Sequence, residues 1–318
     1  MTATDKAQST LFDPGDLGHR RDRAMRLGYV GGGDFLMVEI AARLAERLAE
    51  IRRDFDSAVL AGTGAGAIAA ALPPALATGA GVAMTDPSAL MLTAARAALP
   101  QADILPWAGE TLPFQQGEAA LALSTGLMHA LNDPVGHLVQ LRLALCPDGL
   151  MIAAAAGGET LLPLRQALAE AEIEVTGGLS PRIAPMGEIR QMGALLQRAG
   201  FAMPVADSDV IEVTHADAWA LMRDLRAMGE TNILSDRLRR PTSRRVFARA
   251  AEILAERVSG RDGRIRTRFE IVFLTGWAPA PDQPRPLRPG SAAMRLSDAL
   301  GTVEHAAGEK AGTGPDRR

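Results

Sequence analysis

The chain has 318 residues, 47% hydrophobic and 22% charged, which suits one large folded domain with insertions or two small ones. Its 34 basic and 37 acidic residues leave a net charge of −3, which favours neither nucleic acid nor a membrane surface as a partner. The single cysteine, Cys146, excludes an internal disulfide and a cysteine-based zinc site. Residues 1–16 show no secretory pattern, so we expect a cytoplasmic protein.

The uncharged segment 57–85 is long enough to raise the question of a membrane span. It consists mostly of alanine and glycine, which gain little free energy in lipid, and Pro73 and Pro74 would break a spanning helix. We therefore expect a buried strand, a glycine turn, a helix and a second strand in this segment.

Hydrophobic spacing and turn residues predict alternating strands and helices over the first 175 residues. The predicted helices span residues 20–51, 67–73, 88–98 and 135–145, and the predicted strands span 58–61, 81–85, 102–107, 119–124 and 150–155. This alternation predicts an α/β fold with a doubly wound, mostly parallel sheet and helices on both faces.

The later part of the chain completes this domain and adds an insertion. A helix over 187–200, an extended stretch over 201–214 and a strand over 268–277 are predicted. The charge-rich helical insertion, 216–258, precedes the last strand, and we expect it to cap a pocket at the carboxyl edge of the sheet. The predicted division is an N-terminal segment (1–34), the main domain (35–278) and a proline-rich, disordered tail (279–318).

A glycine loop, Gly-Thr-Gly-Ala-Gly at 62–66, follows the first predicted strand. Glycines let the backbone approach a nucleoside closely, and a helix behind the loop would present free amides. Asp86, 20 residues past Gly66, ends the second predicted strand, where a carboxylate can accept both ribose hydroxyls. The alternative interpretations are a structural turn for the loop and, for Asp86, a cap on the helix that begins near Ser88. The two features do not separate dinucleotide-binding folds from S-adenosylmethionine-binding folds.

Later segments resemble class I S-adenosylmethionine-dependent methyltransferases. The segment 124–133 resembles their fourth-strand loop, and 145–150 resembles their "L-x-P-G-G" turn. The segments 157–161, 177–182, 197–201, 221–232 and 269–277 resemble one branch, which contains the protein-arginine hydroxylase that assembles respiratory complex I and its bacterial relatives. The chain is more distantly similar to the malonyl-carrier-protein O-methyltransferase of biotin synthesis.

This resemblance implies a Rossmann-like fold, S-adenosylmethionine as cofactor and a protein substrate, for which a complex I subunit is the candidate. The implied cofactor-binding residues are Gly62, Thr63, Gly64, Gly66, Asp86 and Ser124. An O-methyltransferase of a malonyl carrier or small carboxylate, and a non-catalytic assembly module, remain the alternatives. No catalytic residue is identified.

Two positions depart from the family pattern. Leu60 stands where the family has an acid that helps to hold the methionine end of the cofactor. Ala108 stands where an aspartate would contact the adenine amine, although the Glu-x-Leu-Pro-Phe segment at 110–114 is intact. Each lost contact costs on the order of 1 to 3 kcal/mol of binding free energy, so we expect a degenerate cofactor site.

Tyr29 and His129 are candidates to face the substrate, with packing as the alternative for each. His215 and Asp217 have the spacing of an iron site, but the one later histidine, His305, lies in the predicted tail, so no metal is expected. Arginines crowd part of the insertion: Arg237, Arg239, Arg240, Arg244, Arg245 and Arg249. They form either a solvated helix face or a patch that docks an acidic protein or the inner membrane peripherally.

Overall fold

The computed structural model describes residues 10–13, 15–283, 294, 298, 301 and 302. The described residues up to Ala280 form one compact unit, and those from Pro281 onwards belong to a second unit. Most of the tail predicted over 279–318 lies outside the described residues, and the three-part division stays a prediction. Among the described residues, no helix has the length and apolar character needed to cross a membrane.

Seven strands and eight α-helices alternate along the described chain. The helices are α1 (Asp16–Arg26), α2 (Phe35–Ala49), α3 (Ala89–Ala98), α4 (Pro134–Ala144), α5 (Leu162–Thr176), α6 (Ile189–Arg198), α7 (Ala218–Ala227) and α8 (Arg244–Val258). The strands are β1 (Ala58–Ala61), β2 (Val82–Thr85), β3 (Asp103–Ile104), β4 (Ala119–Thr125), β5 (Leu145–Gly157), β6 (Ala202–His215) and β7 (Ile265–Trp277).

All seven strands join one sheet in the order β3-β2-β1-β4-β5-β7-β6. Neighbours pair in parallel from β3 to β5, whereas β7 runs antiparallel to both β5 and β6. The predicted mostly parallel α/β sheet is thus confirmed, and the carboxyl ends of β1, β2 and β4 lie side by side at one edge.

Both faces of the central strands β1, β4 and β5 are buried, and successive residues of each strand point to opposite sides. In β5, Ile152 joins the apolar cluster that includes α2, α5 and α8, while Met151 and Ala153 join the cluster on the side of α4 and α6. The cap helix α8 buries Val246, Ala250 and neighbours at helical spacing against α5 and β7. This packing holds the insertion against the domain.

The long helix predicted over 20–51 is wrong in its middle. The chain leaves α1 at Arg26, passes through a turn at Tyr29–Gly33, and begins α2 at Phe35. Gly28 and Gly31 adopt positive φ angles of 91° and 79° there, and Val30 is extended. The apolar helical spacing continues across this break and therefore does not reveal it. Glycine adopts positive φ angles at little steric cost, so the chain can break here.

Candidate functional site

The glycine loop turns tightly where β1 ends. A Cβ on Gly62 would lie 2.1 Å from the carbonyl oxygen of Thr125, and one on Gly66 would lie 3.1 Å from the Cβ of Ala98 in α3. A Cβ on Gly64 would lie 3.2 Å from the Cβ of Met37 in α2. Packing against backbone therefore excludes a side chain at Gly62, while close neighbours and positive φ angles disfavour one at Gly64 and Gly66.

The helical segment predicted behind this loop is present as a 3₁₀ helix and not as an α-helix. Residues Gly64–Ala71 form a 3₁₀ segment in which Ala65 and Gly66 have positive φ angles of 55° and 102°. The close approach of α2 and α3 to these small residues bends the chain away from α-helical geometry. The loop consequently offers individual backbone amides and lacks the aligned start of an α-helix.

Asp86 is buried directly after β2. Its Oδ2 accepts hydrogen bonds from the backbone N and the hydroxyl of Thr63, at 2.8 and 3.1 Å, and its Oδ1 accepts one from the N of Ser88 at 2.9 Å. The carboxylate therefore ties the glycine loop to the start of α3. Ser88 itself caps α3 through Met91 N, so Asp86 acts on the loop while Ser88 is the helix cap.

Ser124, near the end of β4, is also buried. Its hydroxyl lies 2.8 Å from Nε2 of His137 in α4, beneath the loop edge. Burial lowers the pKa of His137 to about 4, so the ring is neutral at pH 7. This pair joins β4 to α4 under the place where the loops meet.

The cleft above the loop, here called the glycine-loop cleft, is almost closed. Side chains from α1, α2 and α3, among them Arg21, Met37 and Met91, leave an open volume of only about 30 Å³. Tyr29 lies in this cleft, buried against Ala24 and Met91. Burial raises the pKa of the Tyr29 hydroxyl far above its ordinary value, so it stays protonated.

A larger cavity of about 520 Å³, here called the cap pocket, lies under the insertion. Its walls are mostly apolar and come from α5, α7 and α8, with Leu164, Trp219 and Phe247 among them. His129, from the turn after β4, lines this pocket, while Tyr29 does not. The insertion thus roofs a cavity at the carboxyl edge of the sheet.

Glu230, just after α7, lines both cavities. Its Oε2 lies 3.1 Å from Nε2 of His129, and its Oε1 lies 3.9 Å from Nη2 of Arg21. Burial alone would raise the pKa of this carboxyl, but the charges of His129 and Arg21 outweigh it and hold the pKa below its ordinary value. A carboxylate therefore stands where the cleft and the pocket meet.

A buried ion pair builds one wall of the cap pocket. Glu172 of α5 accepts hydrogen bonds from Arg182 at 2.7 and 2.9 Å and from the Ser180 hydroxyl. Arg182 also donates to the hydroxyl of Thr242, ahead of α8, at 3.0 Å. The loop 177–182 is thereby fixed to both sides of the pocket.

His215 and Asp217 serve the fold. His215 lies 2.7 Å from Asp224 and 2.9 Å from the Thr267 hydroxyl, and Asp217 caps α7 by accepting from Ala220 N. Within the described ranges, no group of three or more metal-ligating side chains is found.

This geometry agrees with comparisons to known proteins. A family model described as a methyltransferase domain matches residues 59–153. The chain is 34% identical to the mitochondrial arginine-hydroxylase NDUFAF5 of Danio rerio, over 91% of this chain and 89% of that protein. It is also 34% identical to the malonyl-[acyl-carrier protein] O-methyltransferase of Laribacter hongkongensis, over 80% of this chain and 86% of that protein. The chain belongs to the methyltransferase family that includes these arginine-hydroxylases.

Solved structures show the same fold. A putative methyltransferase of Bacillus halodurans superimposes with a TM-score of 0.51 at 15% identity, covering 76% of this chain and 99% of that chain. The YcgJ protein of Bacillus subtilis gives 0.51 at 13% identity, covering 74% and 98%. At such identities the likeness concerns the fold alone, and it agrees with the strand order described above.

The two departures from the methyltransferase family pattern have simple surroundings. Leu60 is buried in the apolar core, paired with Met84 on β2 and Leu123 on β4. Ala108 is exposed in the segment after β3. The nearby Glu110 receives the backbone N–H groups of Asn132 and Asp133, at 2.7 and 2.8 Å, and so positions the loop before α4.

The sequence does not single out Arg21 and Glu230 within this methyltransferase-family site. Glu230 lies in the segment 221–232, which carries the family resemblance, and this position could have marked it as a candidate site residue. Arg21 sits in a basic run of α1, where the pattern is typical of a solvated helix face. Only tertiary contacts bring it to the ends of β2 and β4.

Proposed function

We propose that this protein binds S-adenosylmethionine in the glycine-loop cleft and modifies an arginine of a partner protein whose side chain enters the cap pocket. The position of Glu230, which lines both cavities, supports this most directly. A cofactor and a side chain held on either side of one carboxylate would have their reacting groups close together. The relatives named arginine-hydroxylases support the choice of arginine.

The residues of the cleft suit this cofactor in part. Asp86 is fully buried and does not line the closed cleft, so it would receive the ribose hydroxyls once the cleft has opened, while amides of the glycine loop would contact the amino-acid end. When bound, S-adenosylmethionine supplies a reactive sulfonium. Hydroxylation of an arginine would in addition need dioxygen and a two-electron reductant, because the sulfonium supplies no oxygen atom. Leu60 and Ala108 withhold two polar contacts, so we expect weaker binding than in relatives that keep both acids.

Binding also requires the cleft to open. A cavity of about 30 Å³ is far below the roughly 300 Å³ that holds a drug-sized ligand. The glycine-rich turn Tyr29–Gly33 joins α1 to α2 and provides a place where the backbone can bend. We expect α1, which carries Arg21, to move when the cofactor enters.

The cap pocket provides a counter-charge for an arginine. The Glu230 carboxylate can pair with a guanidinium, and the rings of Trp219 and Phe247 line the same cavity. The low pKa of Glu230 keeps this carboxylate charged at neutral pH. The apolar walls would exclude water from the bound side chain.

Two measurements test this function. Calorimetric titration with S-adenosylmethionine and its demethylated product should give a micromolar dissociation constant, whereas no heat and no thermal shift would favour a non-catalytic module. Mass spectrometry of the complex I subunit expected from the resemblance should show one arginine without its added oxygen in a deletion strain. An oxygen that persists in that strain would disprove hydroxylation by this protein.

One observation favours the carboxylate O-methyltransferase as a second candidate. Arg223 and Arg226 line the mouth of the cap pocket and have no ion pair in the part of the chain that the structure describes. Two free cations suit an anionic carrier or carboxylate substrate. Rescue of a biotin auxotroph by this gene would decide for this candidate, and failure of rescue with preserved cofactor binding would exclude it.

The proposal includes a cytoplasmic location with peripheral contact to the inner membrane through the arginine-rich insertion. Ion pairs reduce the number of arginines that are available for this membrane contact. Arg237 pairs with Asp13 and Asp16, and Arg249 pairs with Glu174. Arg239 also pairs with Asp13. Exposed arginines without an ion pair to any described residue remain at Arg240, Arg244 and Arg245.

A further inference from the structure

Helix α7 presents one continuous stripe of side chains to the cap pocket. Trp219, Met222, Arg223 and Arg226 all line that cavity. Their spacing of three or four residues places them on one face of the helix, here called the α7 stripe. Leu221, on another side of α7, is buried in the core and holds the helix in place. The stripe is therefore a fixed surface at the side of the pocket.

The α7 stripe carries two cations that the chain does not neutralise. Arg223 and Arg226 are exposed, and neither forms an ion pair with a residue that the structure describes. The third arginine of the pocket wall, Arg182, is already paired with Glu172. Among the described residues that line the pocket, Glu230 carries the single carboxylate. An arginine side chain that entered alone would therefore gain one counter-ion and be repelled by two cations.

We propose that the α7 stripe binds acidic side chains that lie next to the target arginine in the partner protein, an inference that rests on the function proposed above. A carboxylate matches the fork of a guanidinium and can take two parallel hydrogen bonds from it. The target arginine then pairs with Glu230, while its acidic neighbours pair with Arg223 and Arg226. This arrangement satisfies both signs of charge that the pocket presents, so the substrate is a segment with an arginine and nearby acids.

The geometry of α7 sets the distance between the arginine and these acids. Glu230 follows Arg226 by four residues and Arg223 by seven, and its backbone N–H still donates to the carbonyl oxygen of Leu225 at 3.0 Å. A helical rise of about 1.5 Å per residue puts the two arginines roughly 6 and 10 Å from Glu230 along the axis. An extended peptide advances about 3.3 Å per residue. The acids therefore belong two to four positions from the target arginine, on one side of it.

Capped synthetic peptides test this substrate class on the full-length protein. The neutral-flank peptide has one central arginine among glycine, alanine and serine, and the near-acid peptides carry two aspartates within four positions of it, on either side. The far-acid peptide has the same composition with both aspartates at its end. By calorimetry at low salt, one near-acid peptide should bind about 5- to 20-fold more tightly than the neutral-flank peptide. The far-acid peptide should bind like the neutral one, and the preference should shrink at high salt.

Variants assign the preference to α7. In the double variant Arg223→Gln and Arg226→Gln, the preference for near acids should disappear, while affinity for the neutral-flank peptide stays unchanged or rises because two repelling cations are gone. Replacing both residues by glutamate should reverse the preference towards peptides with lysines in place of the aspartates. The double variant Arg190→Gln and Arg198→Gln is the matched control. It removes the same charge from exposed positions of α6 that do not line the pocket, and it should keep the wild-type preference.

The outcomes separate this inference from the proposed function. Equal affinities for the neutral-flank and near-acid peptides would overturn the role of the α7 stripe and leave the arginine pocket standing. Equal affinities for near-acid and far-acid peptides would show attraction by net charge alone, and would also overturn it. A near-acid peptide that binds as tightly with glutamine in place of its arginine, or a protein that binds no peptide, would overturn the proposed function and this inference with it. Thermal unfolding of each variant identifies any that fails to fold, and the wild-type peptide series then decides.

Discussion

The glycine-loop cleft and the cap pocket share Glu230, but they differ in how their space is used. In the cleft, side chains such as Arg21, Met37 and Met91 occupy most of the space, and Asp86, which does not line the cleft, is bound to Thr63. In the pocket, apolar side chains around a buried ion pair leave about 520 Å³ open. A ligand must replace internal contacts in the cleft, whereas it enters existing space in the pocket.

This comparison predicts that changes at the floor of the cleft act mainly on folding. The pocket should depend on one buried ion pair, and the outer face of the cap should hardly affect stability. The four predictions below test this order.

The largest effect is expected for Gly62→Ala. The new Cβ would meet the Thr125 carbonyl oxygen at 2.1 Å, and the residue keeps a φ of 81°. We expect a loss of at least about 4 kcal/mol in the free energy of unfolding, measured with urea. Gly117→Ala is the control, because φ is 75° there but no atom lies within 4 Å, so strain alone should cost about 1 kcal/mol. Similar losses in both variants would contradict the tight loop.

Glu172→Gln tests the wall of the cap pocket. Removing the charge leaves Arg182 buried without its counter-ion, which should cost about 3 to 5 kcal/mol at pH 7. Glu170→Gln is the control on the same helix, since its pair with Arg257 is exposed and should contribute under about 1 kcal/mol.

The Glu172 effect should also depend on pH. Burial raises the pKa of this carboxyl. The hydrogen bonds from Arg182 and Ser180, together with the charge of Arg182, outweigh that effect and lower the pKa below its ordinary value of 4.5. The stability that it contributes is therefore complete above about pH 4.5 and is lost as pH falls through the lower folded pKa. The difference between wild type and Glu172→Gln should shrink in that acidic range, and a constant difference would argue against the ion pair.

His137 should make stability fall in a separate, less acidic range. The unfolded ring titrates near pH 6.5, while burial lowers the folded pKa to about 4, so between these values only the unfolded state binds the proton. Stability should decrease by about 3 kcal/mol as pH falls from 6.5 to 4. His137→Gln should remove this slope in urea titrations at stepped pH. His19→Gln is the control, because His19 is exposed, and this variant should keep the slope. A slope that persists in His137→Gln would show that His137 does not cause it.

The smallest effect on stability belongs to the outer face of the cap. Replacing the three exposed arginines without ion pairs, Arg240, Arg244 and Arg245, by serine should change the free energy of unfolding by less than about 0.5 kcal/mol. Binding to vesicles with anionic lipid should weaken, and more so at low salt. An equal set of exposed arginines elsewhere, Arg190, Arg198 and Arg261, is the control. Unchanged vesicle binding would remove the membrane contact from the proposal.

Much of the fold could be predicted, because each buried strand is a local apolar run bounded by turn residues. The predicted strands 58–61 and 119–124 match β1 and β4 to within one residue. The break between α1 and α2 was missed, since Leu36, Ile40 and Leu44 continue a helical period that says nothing about Gly28 upstream. The 3₁₀ geometry of the helix after the loop was not predicted, because the alanines favour an α-helix and their propensity yields to close packing against α2 and α3.

The sequence by itself determined the α/β architecture, the place of the glycine loop and the family, because these depend on local periodicity and on motifs. The tertiary structure decided that Asp86 holds Thr63, that Glu230 joins two cavities, and that Arg21 reaches the end of β4. Arg21 and Gly126 are 105 residues apart in the chain. Contacts between residues so far apart in the chain form only when the strands take their order in the sheet, so no local sequence pattern predicts these contacts.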